Sequence, residues 1–223
     1  MKLEVACFNL ESVAVAAQSK ADRVEFCAEF NLGGTTPSYA DTQKARRLFS
    51  RELLVMIRPR GGDFNYSEME FEAMKLSILE LKDTGIDGFV FGILTQNNQI
   101  DFQRNSELVA LASPLPCSFH RAIDHTDEYL KAIKTCIEMG FKTILTSGNA
   151  SKIELGMEAV QEAVVQFGNQ IQLMPGGGLR SSNALKIKEI TQAGYFHTSG
   201  IVDDSEIANL TEINALKNVI SNV

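Results

Sequence analysis

Short apolar runs and longer amphipathic stretches alternate along the whole chain, and the alternation predicts eight repeats of strand followed by helix. The expected strands are LEVACF (3–8), DRVEFC (22–27), LLVMI (53–57), GFVFGIL (88–94), PCSFHRAI (116–123), KTILTSG (142–148), IQLMPGGG (171–178) and YFHTSG (195–200). Helical periodicity follows near 10–19, 39–50, 69–81, 102–112, 127–139, 152–167, 182–192 and 205–221, the last broken near Thr211. Polar residues mark the ends. Asn9 and Thr126 are expected N-caps, a helix is expected to begin after Asp101, Ser67 and Glu70 form a capping box, and Gly85 and Gly140 close their helices.

The strands begin near residues 3, 22, 53, 87, 116, 143, 171 and 195. That spacing averages about 27 residues, the length of one βα unit. Near-continuous apolar strands alternating with helices imply a parallel sheet covered on its faces. A closed (β/α)8 TIM barrel is the simplest solution, and a doubly wound sheet is the alternative. No linker or shift of composition divides the chain, so residues 1–223 are expected to form one α/β domain. The chain is shorter than the roughly 250 residues usual for such barrels, which predicts lean loops.

A net charge of −7 and a pI near 5.1 argue against a nucleic-acid surface or a face for anionic membranes, since both need clustered cations. The opening MKLEVACF is too short an apolar run for a signal peptide, and Glu4 interrupts it. No run approaches the roughly 18 apolar residues of a membrane span. Cys7, Cys27, Cys117 and Cys136 show no CxxC pairing, so reduced thiols and a cytoplasmic location are expected.

In a (β/α)8 barrel the C-terminal ends of all the strands meet at one mouth, where the active site lies. Polar residues collect at those ends here: Glu4 and Cys7 on the first strand, Glu25 and Cys27 on the second, Arg58 and Arg60 past the third. His120 and Asp124 lie at the fifth, with Arg121 in opposite phase. Thr146, Ser147 and Gly148 end the sixth, Gly176, Gly177 and Gly178 the seventh, His197 and Ser199 the eighth. Residues i and i+2 of a strand share a face, so Arg58 and Arg60 are expected to point the same way. Two guanidiniums on one face need an anionic ligand or carboxylate partners, and Glu25 on the neighbouring strand is one such partner for Arg58.

Imidazoles beside carboxylates suit proton transfer or metal ligation, which nominates Glu4, Glu25, His120 and His197 as catalytic groups. Arg58, Arg60, Asp124, Ser147, Gly176, Gly177, Gly178 and Ser199 are nominated to hold substrate. MPGGGLRSSN and FHTSG suit backbone N–H groups that cradle a phosphate, or else a tight strand-to-helix turn. Cys7 and Cys27, at adjacent strand ends, are the candidates for a soft ion such as Cu(I), which prefers two or three thiolates. Their parity is awkward. Glu4 facing inward puts Ala6 on its face and Cys7 on the other, while Cys27 shares a face with Glu25. Cys117 and Cys136 are expected in the core.

ADRVEFC (21–27), GGTTPS (33–38), MIRPRGGDFNYS (56–67), DGFVFGIL (87–94), SFHRAID (118–124), ILTSG (144–148), MPGGG (174–178) and FHTSG (196–200) together resemble the CutC family across nearly the whole chain. The resemblance implies a cytoplasmic (β/α)8 barrel, often a homo-oligomer (dimer or tetramer), linked to copper homeostasis. It also implies copper-binding cysteines at the ends of the first two strands. The second falls on Cys27, and the first falls at Ala6 in some members and at the Cys7 position in others.

Two functions follow. One is copper handling, with copper(I) on Cys7 and Cys27. The other is a barrel enzyme acting on a small anionic or phosphorylated metabolite, with lyase, isomerase or hydrolase chemistry fitting better than redox because no dinucleotide fingerprint occurs. The pocket chemistry is enzyme-like, and no single reaction is assignable from the residues.

Overall fold

The structure, a computed structural model, describes residues 1–221. Strand and helix alternate as β1 (Lys2–Cys7), α1 (Leu10–Gln18), β2 (Arg23–Phe26), α2 (Tyr39–Leu48), β3 (Glu52–Met56), α3 (Glu68–Leu81), β4 (Gly88–Phe91) and α4 (Phe102–Ala112). They continue as β5 (Cys117–Phe119), α5 (Tyr129–Met139), β6 (Thr143–Thr146), α6 (Ile153–Phe167), β7 (Gln172–Pro175), α7 (Ala184–Thr191), β8 (Tyr195–Thr198) and α8 (Leu210–Ser221). All recorded ladders are parallel, in the order β7-β6-β5-β4-β3-β2-β1-β8. β7 and β8 lie side by side, so the sheet is a nearly closed (β/α)8 barrel rather than a doubly wound sheet.

The pleat sorts the side chains. Leu3, Val5, Phe26, Phe89, Phe91 and Phe196 face outward and are sealed under the helices. Each such side chain contributes about 1.5–3 kcal/mol by leaving water. Cys27, Leu54, Met56 and Val90 form a separate, small apolar cluster inside the barrel. Charged and polar side chains share the rest of the interior with Ala6, Leu145 and Met174, and that is where the site sits.

The expected ends hold at Asn9, at the Ser67–Glu70 capping box, at Asp101 and at Gly140. Elsewhere the strands stop sooner than their apolar runs. The fifth ends at Phe119 because the His120 ring accepts the Ala122 N–H and opens a 3-10 turn over Arg121–His125. Thr126 closes that turn by donating to Ile123, and α5 begins at Tyr129 instead. The last helix is not broken at Thr211. It starts at Leu210, where Asn209 accepts the Glu212 N–H, and runs through. No described helix is long and apolar enough to cross a membrane.

Candidate functional site

Strand register builds the floor of the mouth. Glu4 on β1 stands opposite Arg23 on β2 and His197 on β8, and Glu25 lies opposite Ala6, two residues further on. Arg23 Nε donates a very short bond to Glu4 Oε2. Its Nη1 reaches Glu52 at 3.4 Å, and its Nη2 crosses the barrel to the Met174 sulfur of β7 at 3.6 Å. His197 Nε2 lies 2.9 Å from Glu25 Oε2 and 3.7 Å from Glu4 Oε1. Arg23 and a protonated His197 thus balance two carboxylates in a place where an unpaired charge would be costly.

The protonation of this cluster follows from its geometry. Burial opposes a charged His197, but the Glu25 hydrogen bond and the charges of Glu25 and Glu4 outweigh it and raise its pKa. Burial likewise opposes the charge on Arg23 and is outweighed by Glu4 and Glu52. For Glu4, burial pushes the carboxyl up, against the pull of Arg23.

Above this floor opens a cavity of about 270 Å³. Its wall includes Glu25, Cys27, Met56, Arg58, Phe64, His120, Gly177, Gly178, His197 and Ser199, and two further arginines, Arg121 and Arg180. Three buried polar atoms of this wall have no hydrogen-bond partner: Glu25 Oε1, Arg58 Nε and His120 Nε2.

The arginines are handled differently from the expectation. Arg58 is buried and lines the cavity, but it does not pair with Glu25. Its Nη1 donates to Leu32 O (2.9 Å) and Gly34 O (3.1 Å), its Nη2 to Gly62 O (2.9 Å), and its plane lies 4.9 Å over the Phe64 ring. Arg60 does not share its direction. β3 has already ended at Met56, alternation lapses, and Arg60 turns outward to Glu70 (2.6 Å) and Asp63 (2.9 Å).

Asp124 and Ser147 also lie outside the cavity wall. Asp124 accepts from Thr146 Oγ1 (2.6 Å), Ser147 N (2.9 Å), Ser147 Oγ (2.8 Å) and Asn149 N (3.1 Å), pinning the loop after β6. It and Ser147 grip Arg121, at 3.0 Å and 2.6 Å, and so aim that guanidinium at the rim. Of the three glycines after β7, Gly177 and Gly178 line the cavity with φ of +85° and +92°. A Cβ on Gly177 would come within 3.0 Å of the Arg121 guanidinium. Gly176 lies behind them, where a Cβ would meet Leu145 at 2.6 Å.

The two thiols do not converge. Cys7 pairs in register with Phe26 and lies among the outward core residues, whereas Cys27 belongs to the interior cluster and lines the cavity. Burial raises both pKa values, and Glu25 and Glu4 add to the effect, so both are held as thiols. Cys117 and Cys136 are buried in the core. One donor atom each of Glu4, Glu25 and His197 lie within 4.8 Å of one another, the one such group among the described residues. Its oxygen and imidazole donors are not the soft set that Cu(I) prefers, and Arg23 already occupies Glu4.

Sequence reasoning did not single out Arg23 or Arg180. Arg23 was readable, since Arg23, Glu25 and Cys27 alternate on one face of β2. Arg180 follows the glycines directly, and its guanidinium folds back to Leu179 O and Ile201 O, each at 2.8 Å.

Residues 1–202 match the model of the CutC family. A human copper homeostasis protein cutC homolog is 40% identical over 197 residues, 88% of this chain and 72% of that protein. A CutC family protein of Parabacteroides distasonis is 40% identical over 198 residues, 88% of this chain and 82% of that one. The crystal structure of the putative copper homeostasis protein CutC from Streptococcus agalactiae superposes with a TM-score of 0.85 at 32% identity, covering 89% of this chain and 98% of that one. With its eight-stranded barrel, its motifs and these matches in agreement, the chain belongs to the CutC family.

Proposed function

We propose that the barrel mouth binds a small anionic metabolite and performs proton transfer on it. The observation that carries this reading is the buried Glu25–His197 pair at the base of the cavity, with Glu25 Oε1 left without a partner. His197 holds one carboxylate oxygen and leaves the other to act as a base. A cavity of about 270 Å³ falls just under the usual range for drug-sized ligands, which suits a metabolite of few atoms. Arg121 and Arg180 flank the Gly177–Gly178 turn and supply the cationic side of the wall, where main-chain N–H groups are open to close approach.

Saturating inorganic phosphate is therefore expected to raise the melting temperature, by roughly 2–4 °C for each kcal/mol of binding. Arg180→Ala should lose most of that rise while its own melting temperature in plain buffer reports on folding. No rise with phosphate, in parent or variant, would end the anion reading.

Copper is suggested by the names of the relatives. Against a two-thiolate Cu(I) site weigh the opposite faces of Cys7 and Cys27 and the raised pKa of both. Anaerobic titration against a competing chelator is expected to give Cys7→Ser/Cys27→Ser the same Cu(I) affinity as the parent. A tenfold or greater loss, about 1.4 kcal/mol, would instead place copper on these thiols.

A further inference from the structure

We propose that the ligand of this pocket is a carbonyl compound, and that Glu25 and His120 act on it together. Glu25 removes a proton from the carbon beside the carbonyl, and His120 donates a hydrogen bond to the carbonyl oxygen. This rests on the anionic-metabolite reading above and names its substrate class and reaction.

Two of the unpartnered atoms of the wall complement each other. Glu25 Oε1 can only accept. His120 Nε2 can only donate, because Nδ1 accepts the backbone N–H of Ala122 at 3.2 Å and a backbone N–H has no other role. The tautomer is thus fixed by the turn that His120 itself opens. A buried donor without a partner is destabilising, and a histidine that served packing alone would be expected to have one.

The ring is held in place. A Cβ on Gly92 would lie 2.9 Å from its Nδ1 and Cε1, so only glycine leaves room behind it. Phe64 packs at 4.9 Å between centroids, and Phe119 at 5.9 Å. The Arg58 guanidinium is the charge that bears on it most. Burial, then the Arg58 guanidinium, and more weakly His125, push its pKa down to about 3. At neutral pH the imidazole is uncharged, keeps its Nε2–H, and stabilises negative charge on oxygen without surrendering the proton.

The step balances within the ligand. The C–H bond breaks as its proton forms an O–H bond with Glu25 Oε1. The C–H electron pair becomes a C=C bond, and the carbonyl π pair moves to oxygen as an enolate, held by His120 Nε2–H. Where the carbon that lost its proton bears a hydroxyl, that hydroxyl proton passes to the former carbonyl oxygen and the negative charge moves to the second oxygen. Return of the proton from Glu25 to the former carbonyl carbon then forms the new carbonyl, completes an isomerisation and restores the carboxylate. No oxidant, reductant or second substrate is needed.

Phosphoglycolohydroxamate, a planar enediolate mimic bearing a phosphate, tests this against glycerol 3-phosphate, which has the phosphate and no carbonyl. Calorimetric titration is expected to show the hydroxamate binding at least about tenfold tighter, the worth of one added hydrogen bond in a dry site. His120→Phe should bring the two ligands to parity, and His120→Gln, which keeps an N–H, should retain part of the preference. Nitrogen NMR of His120 should show the Nε2–H tautomer with no titration between pH 5 and 8 (roughly the range in which an ordinary histidine changes charge). Equal binding of the two ligands overturns the carbonyl proposal and leaves the anion pocket standing. So does a His120 that titrates near neutrality or carries its proton on Nδ1. If neither ligand nor inorganic phosphate binds, both readings fall.

Discussion

Arg23→Met is expected to lose about 3–5 kcal/mol of folding stability in urea denaturation, the usual cost of stripping one partner from a buried ion pair. Arg23 and Glu4 are both buried, at 5% and 2% exposure, so water cannot take over the solvation of Glu4. Without the guanidinium, Glu4 and Glu25 are left with His197 as their one close cation. Methionine retains most of the side-chain length, so lost packing contributes little. Domain stabilities are commonly about 5–15 kcal/mol, so the change is a large share of the whole. The double variant Arg23→Met/Glu4→Leu removes both charges and is expected to recover most of the loss. A single-variant cost under about 1 kcal/mol would mean that the floor is hydrated and that the pair is not what seals it.

Asp124→Ala should be the second large effect, at about 3 kcal/mol in the same assay. The alanine takes the acceptor from the buried Ser147 N and the exposed Asn149 N, and it leaves Thr146 Oγ1 with Tyr129 and Ser147 Oγ with Ala150 O. Buried orphaned donors cost about 1–3 kcal/mol each, and partial rehydration of the loop reduces the sum. Arg121 loses its carboxylate as well, so phosphate binding should weaken even though Asp124 does not line the cavity. Asp124→Asn keeps the shape and one acceptor oxygen and should lie between the two. A loss from Asp124→Ala no larger than an ordinary surface change, roughly 0.5 kcal/mol, would show that the loop after β6 is held by other contacts.

These two residues also mark what can and cannot be read along the chain. The barrel was legible because strand and helix have different periods and because caps such as Asn9 and the Ser67–Glu70 box are local chemistry. The gathering of Glu4, Glu25 and His197 was legible too, because parity and strand order place them at one floor. Arg60 was misplaced because alternation holds only while the strand lasts, and β3 ends at Met56. The hold of Asp124 on the loop after β6 was not legible, because its partners there lie more than twenty residues away. Arg58 is expected from sequence to need an anionic ligand or carboxylate partners, yet its two Nη groups donate to three main-chain carbonyls from two loops and its Nε has no partner. Such backbone partners carry no trace in residue type.

The reach of Arg23 to Met174 has a further consequence for traffic through the molecule. That contact crosses the barrel one layer below Glu25 and closes this part of the chamber floor. A ligand seated on Glu25 is therefore backed by side chains and faces the glycine rim. With a volume of about 270 Å³, the chamber has little spare room for a second reactant beside the first. The architecture therefore favours rearranging or splitting one molecule over joining two.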